Sequence, residues 1–332
     1  MTKGLRLSRR TALVATVGGA IAAPFILRGG LAHAAAPMLG AARPDHYRFK
    51  LGAFEVTTLL DGYVQLDGPH PIFGMDQSAE TVQAYAAEHR LPPTKMEISF
   101  TQVLVNTGKE LVLFDTGNPD SRRPTAANLV AAMASAGYKP EQVDVVVITH
   151  MHGDHIGGLM REGKPVFPNA RIVTGETEYD FWSKPDRLSG ATEGTAKLVQ
   201  ANVVPLAEKT TFLKDGGEVV PGIRAVAAFG HTPGMMGYHV ESDGKRFMIF
   251  ADVTNHYVVS LQKPEWSAST WTRTPRSRRA SACSTCWPPT ASRRVATTCP
   301  SRPSASSRRR ATAIAGCRRA TSCGCDVAGR AR

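Results

Sequence analysis

Between residues 46 and 256 short apolar runs alternate with polar punctuation, and the period of each run predicts its element. "HYRFKLGAFEVTTLLDG" alternates and is rich in β-formers, which predicts two strands meeting near Gly52. "MEISFTQVLVNTG" and "ELVLFDTG" predict a second strand pair that turns at Asn106, Thr107 and Gly108. Residues 125–138, "TAANLVAAMASAGY", carry apolar side chains at helical spacing ahead of a glycine stop. "VDVVVITH" and "ARIVTGE" read as strands, and "ETEYDFWS" and "TEGTAKLVQANV" as helices. "GIRAVAAFGHTPG", "MGYHVES" and "KRFMIFADVTNH" predict three more strands, each running into a loop with polar residues. Strands and helices mixed in this order predict an α/β protein of layered sheets.

The pattern is lost at both ends. In residues 1–34, Arg9 and Arg10 precede a weakly apolar, Gly/Ala-rich run that closes in small residues around Ala32, His33 and Ala34. This predicts a twin-arginine export signal cleaved after Ala34, and with it a periplasmic or secreted protein. The run is short and broken by Gly, Pro and Arg28, so it reads as a signal and leaves no stable membrane span after cleavage. Residues 267–332 show no period, are rich in Arg, Ser, Ala, Thr and Pro, and hold all six cysteines. By composition this is a disordered basic tail. It also resembles a GC-rich gene read one base out of frame. Codons for residues 286–290 and 297–303 permit "MLAAD" and "YHMPFPA" in another frame. The expected division is a signal over 1–34, a folded domain over 35–266, and a disordered or non-native tail over 267–332 produced by a frameshift near Trp266.

Charge follows the same division. The formal total is +12, yet residues 267–332 alone carry 14 Arg, no Lys and one Asp, which leaves residues 1–266 at −1. The five basic groups of residues 1–34 have no acid beside them, so 35–266 stand at −6. A mildly acidic body is not a face for phosphate backbones, and no nucleic-acid partner is expected.

The densest chemistry lies in "THMHGDHIGG". His150 and His152 are two residues apart, so in an extended turn both rings can face one point. Asp154 and His155 fall on the next turn and can face a second. Imidazole and carboxylate together suit zinc, iron or manganese. His231, in "FGHTPG", can complete a three-ligand site with His150 and His152, because it follows a strand and sits in a turn. Asp252 ends the apolar run "MIFAD", where a lone carboxylate is costly unless paired or metal-bound. Phe73, Met75, Phe181 and Trp182 are candidates to line a pocket.

"THMHGDHIGG", "GHTPG" and the late "AD" resemble the metallo-β-lactamase superfamily over about residues 45–262. "LVNTG", "AGYKPEQVD", "FPNARI" and "VPGIRA" are similar to its exported branch of methyl-parathion-hydrolase-like and lactonase-like proteins. The resemblance implies an αββα sandwich with two divalent metal ions at the sheet edges, zinc first and manganese or iron as alternatives. By position, His150, His152 and His231 would hold the first metal. Asp154, His155 and Asp252 would hold the second, with Asp252 bridging. Asp154 would also act in catalysis by orienting a metal-bound hydroxide. The pattern requires one more histidine after Asp252. His256 is too close to serve, so the second site is expected to be weakened. Met235 stands where parathion-hydrolase-like proteins often carry a further histidine.

The implied activity is hydrolysis of a small molecule: a lactone or carboxylic ester first, then a phosphotriester, then a β-lactam. Two alternatives differ in class. One is an iron-dependent oxidoreductase on the same fold. The other is an inactive metal-binding pseudoenzyme that lacks the late histidine. A homodimer is admitted by this reading.

Overall fold

The computed structural model describes residues 43–266. The expected export signal over 1–34 and the tail over 267–332 lie outside the described residues. The strands are β1 His46–Leu51, β2 Phe54–Asp67, β3 Lys95–Asn106, β4 Leu111–Phe114, β5 Val145–Ile148, β6 Met160–Arg161, β7 Lys164–Pro165, β8 Arg171–Gly175, β9 Thr210–Leu213, β10 Glu218–Val220, β11 Ile223–Ala227, β12 Met236–Ser242 and β13 Lys245–Ile249. The helices are α1 Ala79–Glu88, α2 Leu129–Ser135, α3 Gly153–Ile156, α4 Glu176–Trp182 and α5 Glu193–Asn202.

Two sheets carry the architecture. The larger runs β1-β2-β3-β4-β5-β8-β9 and the smaller β10-β11-β12-β13. β1 to β4 pair antiparallel, and β4, β5, β8 and β9 pair parallel. The central strands are apolar on both faces, and successive side chains serve two different cores because strand side chains alternate. Val112, Phe114, Val145 and Val147 point to the smaller sheet and meet Ala225, Tyr238, Val240 and Phe247. Their neighbours Leu111, Leu113, Val146 and Ile148 point the other way and pack with Leu129 and Met133 of α2 and Val199 of α5. This is the mixed α/β layering that the pattern predicts, and all the strands it predicts are present.

The helix expected over 125–138 is shorter, at Leu129–Ser135. Its first residues are taken by a buried carboxylate instead. Asp61 is fully buried on β2. Its Oδ1 accepts from Leu129 N–H at 2.9 Å, and its Oδ2 from Ala127 N–H at 3.2 Å. Asn118 donates to Oδ2 from both its backbone N–H at 3.0 Å and its Nδ2 at 2.7 Å. Ala127 takes a left-handed φ of 67°, which stops the helix from extending backward. Gly62, beside Asp61, sits where β2 slips register against β3. A Cβ there would lie 2.2 Å from Thr125 O, so only glycine lets the 118–129 segment close on the sheet. Helix α1 was not read from the sequence, although Ser78 marks its start by accepting from Thr81 N–H at 3.2 Å.

Asp61→Asn replaces one acceptor oxygen with an amide that faces N–H donors. We expect a loss of about 2–3 kcal/mol of unfolding free energy, read as a fall in Tm of roughly 5–10 °C in a domain of this size. A thermal melt indistinguishable from wild type would contradict the role given to this carboxylate.

Candidate metal centre

Four loops at one edge of the two sheets bring the polar residues together: those after β4, β5, β11 and β13. The loop after β5 leaves a strand buried on both faces, so it is held at its root. His152 is extended and caps the short helix α3, which carries Asp154 and His155. Gly157 and Gly158 let this helix lie against the β4 loop. A Cβ at Gly158 would sit 2.1 Å from Thr116 O, and one at Gly157 would sit 2.3 Å from Pro119 N. The His155 carbonyl accepts from Thr116 N–H at 2.7 Å and Thr116 Oγ1 at 2.9 Å.

Asp115 ties the β4 and β5 loops more tightly. It is fully buried, with a left-handed φ of 61°. Its Oδ1 accepts from Thr149 N–H at 2.8 Å, and its Oδ2 from Thr149 Oγ1 at 2.8 Å. The same Oδ2 lies 2.8 Å from His155 Nδ1. A carboxylate on Nδ1 fixes the tautomer and turns Nε2 toward the site. His155 Nε2 then faces Asp154 Oδ2 at 3.5 Å and Asp252 Oδ1 at 3.6 Å.

Three other ring nitrogens converge beside it. His152 Nδ1 lies 3.2 Å from His150 Nε2 and 2.8 Å from His231 Nε2, although His231 comes from the β11–β12 loop, 79 residues away. Asp252 spans both groups. Its Oδ2 is 3.3 Å from His231 Nε2 and 3.9 Å from His150 Nε2, while its Oδ1 faces His155. Asn255 Nδ2 donates to Oδ2 at 2.7 Å. Two sets have ligand atoms mutually within 4.8 Å: His150, His152 and His231, and His150, His155 and Asp252. Ligands about 2.0–2.1 Å from a tetrahedral zinc lie about 3.3 Å apart, close to the spacing of the three nitrogens. The donor set therefore fits a divalent cation. Five of the six residues singled out in the sequence fall in these two sets; the sixth, Asp154, is in neither and stands beside them at the pocket side, its Oδ2 3.5 Å from His155 Nε2.

The charges are strongly coupled. Burial pushes His150 well below its ordinary pKa, and the His155 imidazole adds to this. Burial works to lower His155 too, but Asp115, Asp154 and Asp252 outweigh it and hold that ring well above its ordinary value. Burial works to raise Asp252, and the imidazoles of His155, His231 and His150 overcome it, leaving the carboxyl well below the usual range.

A cavity of about 520 Å³ opens onto this cluster. Asp154, His231, Asp252 and Asn255 form its polar end, and Phe73, Ile98, Phe100 and Leu66 are among its apolar walls. Arg122 also lines it, held by Asn118 Oδ1 at 3.0 Å and stacked 5.4 Å from the Phe100 ring centre. Of the four apolar candidates only Phe73 lines the cavity. Met75 is 67% exposed. Phe181 joins the outer core under Arg187, and Trp182 is buried on α4. Trp182 is buried with its Nε1–H on Glu178 and Phe181 packs partly buried against the same core, so both belong to a core rather than to the pocket. Asn255, Arg122, Asp61 and Glu178 were not singled out. A buried acid within an apolar stretch was the available signal for Asp61.

His256 joins neither ligand set. Its Nδ1 accepts backbone N–H groups from Val258 at 3.0 Å and Val259 at 3.3 Å, and its ring packs 6.3 Å from that of Phe73. The ring is thus neutral, with its proton on Nε2. Met235 is fully buried in a small apolar cluster with Ala228 and Phe250.

Comparison with known proteins places these features in context. Residues 101–273, just over half of the chain, match the family model for the metallo-beta-lactamase superfamily. Among curated relatives, the N-acyl homoserine lactonase of Bacillus cereus is 23% identical over 159 residues, 42% of this chain and 57% of its own length. The human metallo-beta-lactamase domain-containing protein 1 is 32% identical over 132 residues, 39% of this chain and 45% of its own length. The chain thus spans about half the length of the curated relatives it matches. The dizinc quorum-quenching lactonase AidC superposes with a TM-score of 0.68 at 22% identity, covering 76% of this chain and 90% of that one. The hydrolase AbOPH gives 0.68 at 22% identity, covering 78% and 92%. At that identity the likeness is one of fold.

Burial lowers the His256 pKa to about 4. In metal-free protein the unfolded chain binds a proton below about pH 6.5 that the folded ring refuses down to about pH 4. Stability from this group is present above pH 6.5 and lost as pH falls through that window. Between pH 6.5 and 4, wild type should lose roughly 2–3 kcal/mol more unfolding free energy than His256→Gln. Parallel curves for the two proteins would contradict the neutral, buried ring.

Proposed function

Because the chain belongs to the metallo-beta-lactamase superfamily, we propose that it is a metal-dependent hydrolase that opens a lactone or cleaves a carboxylic ester. The observation that carries this reading is the convergence of His150, His152 and His231 on one point, with the two oxygens of Asp252 turned to that point and to His155. His150, His152 and His231 would hold a first cation, and Asp154, His155 and Asp252 a second. Zinc is the first choice, and manganese and iron suit the same donors. When bound, such cations supply Lewis acidity and make water nucleophilic near neutral pH.

The chain's own residues do the rest. Thr149 and Asp115 fix the rings of His150 and His155 from behind. Asp154, at the cavity end, accepts the proton of the attacking water and returns it to the leaving oxygen as the acyl C–O bond breaks. Phe73, Phe100 and their neighbours hold the apolar part of the substrate and keep bulk water from it. Arg122 offers a cation to an oxygen-rich group at the wall. A cavity with apolar walls and one polar end favours an acyl-bearing lactone or ester over a highly charged substrate. Phosphotriesters come next, and β-lactams after them. The lactonases among the relatives and neighbours support placing a lactone first.

Among the described residues the second site has three protein ligands, because His256 is committed to backbone N–H groups. The late histidine of the family pattern, a fourth ligand for that site, is assigned to the frame-restored reading of residues 297–303. Export through the twin-arginine route, with metal loaded before translocation, completes the proposal.

Zinc-loaded protein should turn over lactones or esters, and His152→Ala should lower that rate at least ~100-fold with loss of bound metal. The chain as written should retain one tight zinc, and a frame-restored chain two, by metal analysis after dialysis. Iron accompanied by oxygen uptake, with no ester or lactone turnover, would replace this reading with the oxidoreductase alternative.

A further inference from the structure

The first cation site depends on two loops far apart in the chain, and each is tied to the same buried acid. Glu178, on α4, is fully buried. Its Oε1 accepts from Met151 N–H at 3.0 Å and from Trp182 Nε1–H at 2.9 Å. Its Oε2 accepts from Thr232 Oγ1–H at 2.7 Å and from Gly234 N–H at 2.8 Å. Met151 sits between His150 and His152, and Thr232 directly follows His231. Each of the two loops is therefore held one residue from its imidazoles. The close fit extends to the backbone: a Cβ at Gly234 would lie 2.1 Å from Glu178 N. One direct backbone bond also joins the loops, from Met236 N–H to Thr149 O at 3.0 Å.

Burying a carboxylate costs several kcal/mol, and an apolar side chain would fill the same space at less cost. Burial accordingly pushes the Glu178 carboxyl up, against the pull of its four donors. Three of the four donors are N–H groups that cannot accept a proton in return, so the surround suits a carboxylate that only accepts. Nothing in the proposed reaction uses it directly. Its geometry has another consequence: the distance between the His150–His152 loop and the His231 loop is set through one rigid carboxylate.

We propose that Glu178 is a positioning residue that fixes these two loops against each other and so sets the affinity and geometry of the three-imidazole cation site. The inference rests on the reading that His150, His152 and His231 hold a cation. Glu178→Gln keeps the volume but replaces one oxygen with an NH₂ group. In one orientation that group faces Met151 N–H and Trp182 Nε1–H. In the other it faces Gly234 N–H and a Thr232 hydroxyl that can rotate to accept. At least one loop tie is lost either way.

The experiment is a cobalt(II) titration of the full chain, followed by d–d absorption, with zinc affinity from competition against a chromophoric chelator. Wild type, Glu178→Gln, Thr232→Val and Leu104→Ala are compared, with apo-protein melts alongside. Glu178→Gln should weaken the first cation roughly 10–100-fold and change the d–d spectrum. Thr232→Val, which removes one donor at nearly constant volume, should weaken it about 3–10-fold, within the range of a partial loss of such support. Leu104→Ala lowers the melting temperature through the outer core and should leave affinity and spectrum as in wild type. Wild-type affinity and spectrum in Glu178→Gln, whatever its melting temperature, would overturn the inference alone. Should Glu178→Gln fail to fold, unchanged cation binding in Thr232→Val would overturn it instead. Wild type that takes up no cobalt or zinc would overturn the metal reading, and the inference with it.

Discussion

A carboxylate taken out of water must find donors, and this molecule ties its loops to three such groups. Asp61 gathers the segment from Asn118 to Leu129. Asp115 joins the β4 turn to Thr149 and His155. Glu178 joins the His150–His152 loop to the His231 loop. Each is fully buried, and each accepts from backbone N–H groups as well as side chains. The apolar cores of the two sheets give the layers their stability without fixing the loops at the sheet edge. The buried acids do that, because an unsatisfied buried charge costs more than any alternative loop placement recovers.

The consequence is a site assembled from rigid supports. Strands β4 and β5, apolar on both faces, anchor the roots of the loops. The acids set the loops' mutual positions, and the imidazoles then project into one volume with Asp252 between them. The cavity shares this support. Arg122 on its wall is held by Asn118, which Asp61 holds in turn. The wall of the cavity is thus braced by a short chain of hydrogen bonds that ends on a buried acid.

Much of this was legible in the sequence. Alternation marked β1 and β2, and short continuous apolar runs bounded by turn residues marked β4 and β5. The six polar residues at the centre stood out because imidazoles and acids were concentrated right after apolar runs. What escaped the sequence was the support. Asp61 interrupts an apolar stretch and Glu178 looks like an ordinary polar residue on a helix, but the loops they hold come from donors 57 to 68 and 27 to 56 residues away. The helix over 125–138 was overextended for the same reason, since Asp61 captures its first N–H groups. Phe181 and Trp182 stayed open between pocket and core in the sequence because an apolar residue on a helix reads the same whichever it faces, and both prove to be core.

The claim that everything else serves is that imidazoles and carboxylates from these loops bind the metal. The six cysteines of residues 267–332 provide a rival donor set within the same chain. X-ray absorption at the zinc edge of the loaded full chain separates the two, because zinc–nitrogen and zinc–sulfur distances differ, at about 2.0–2.1 Å and about 2.3 Å. Zinc held by nitrogen and oxygen, with outer-shell scattering from about three imidazoles, is the expected result. A first shell dominated by sulfur, or unchanged spectra after His150 and His152 are replaced, would contradict it.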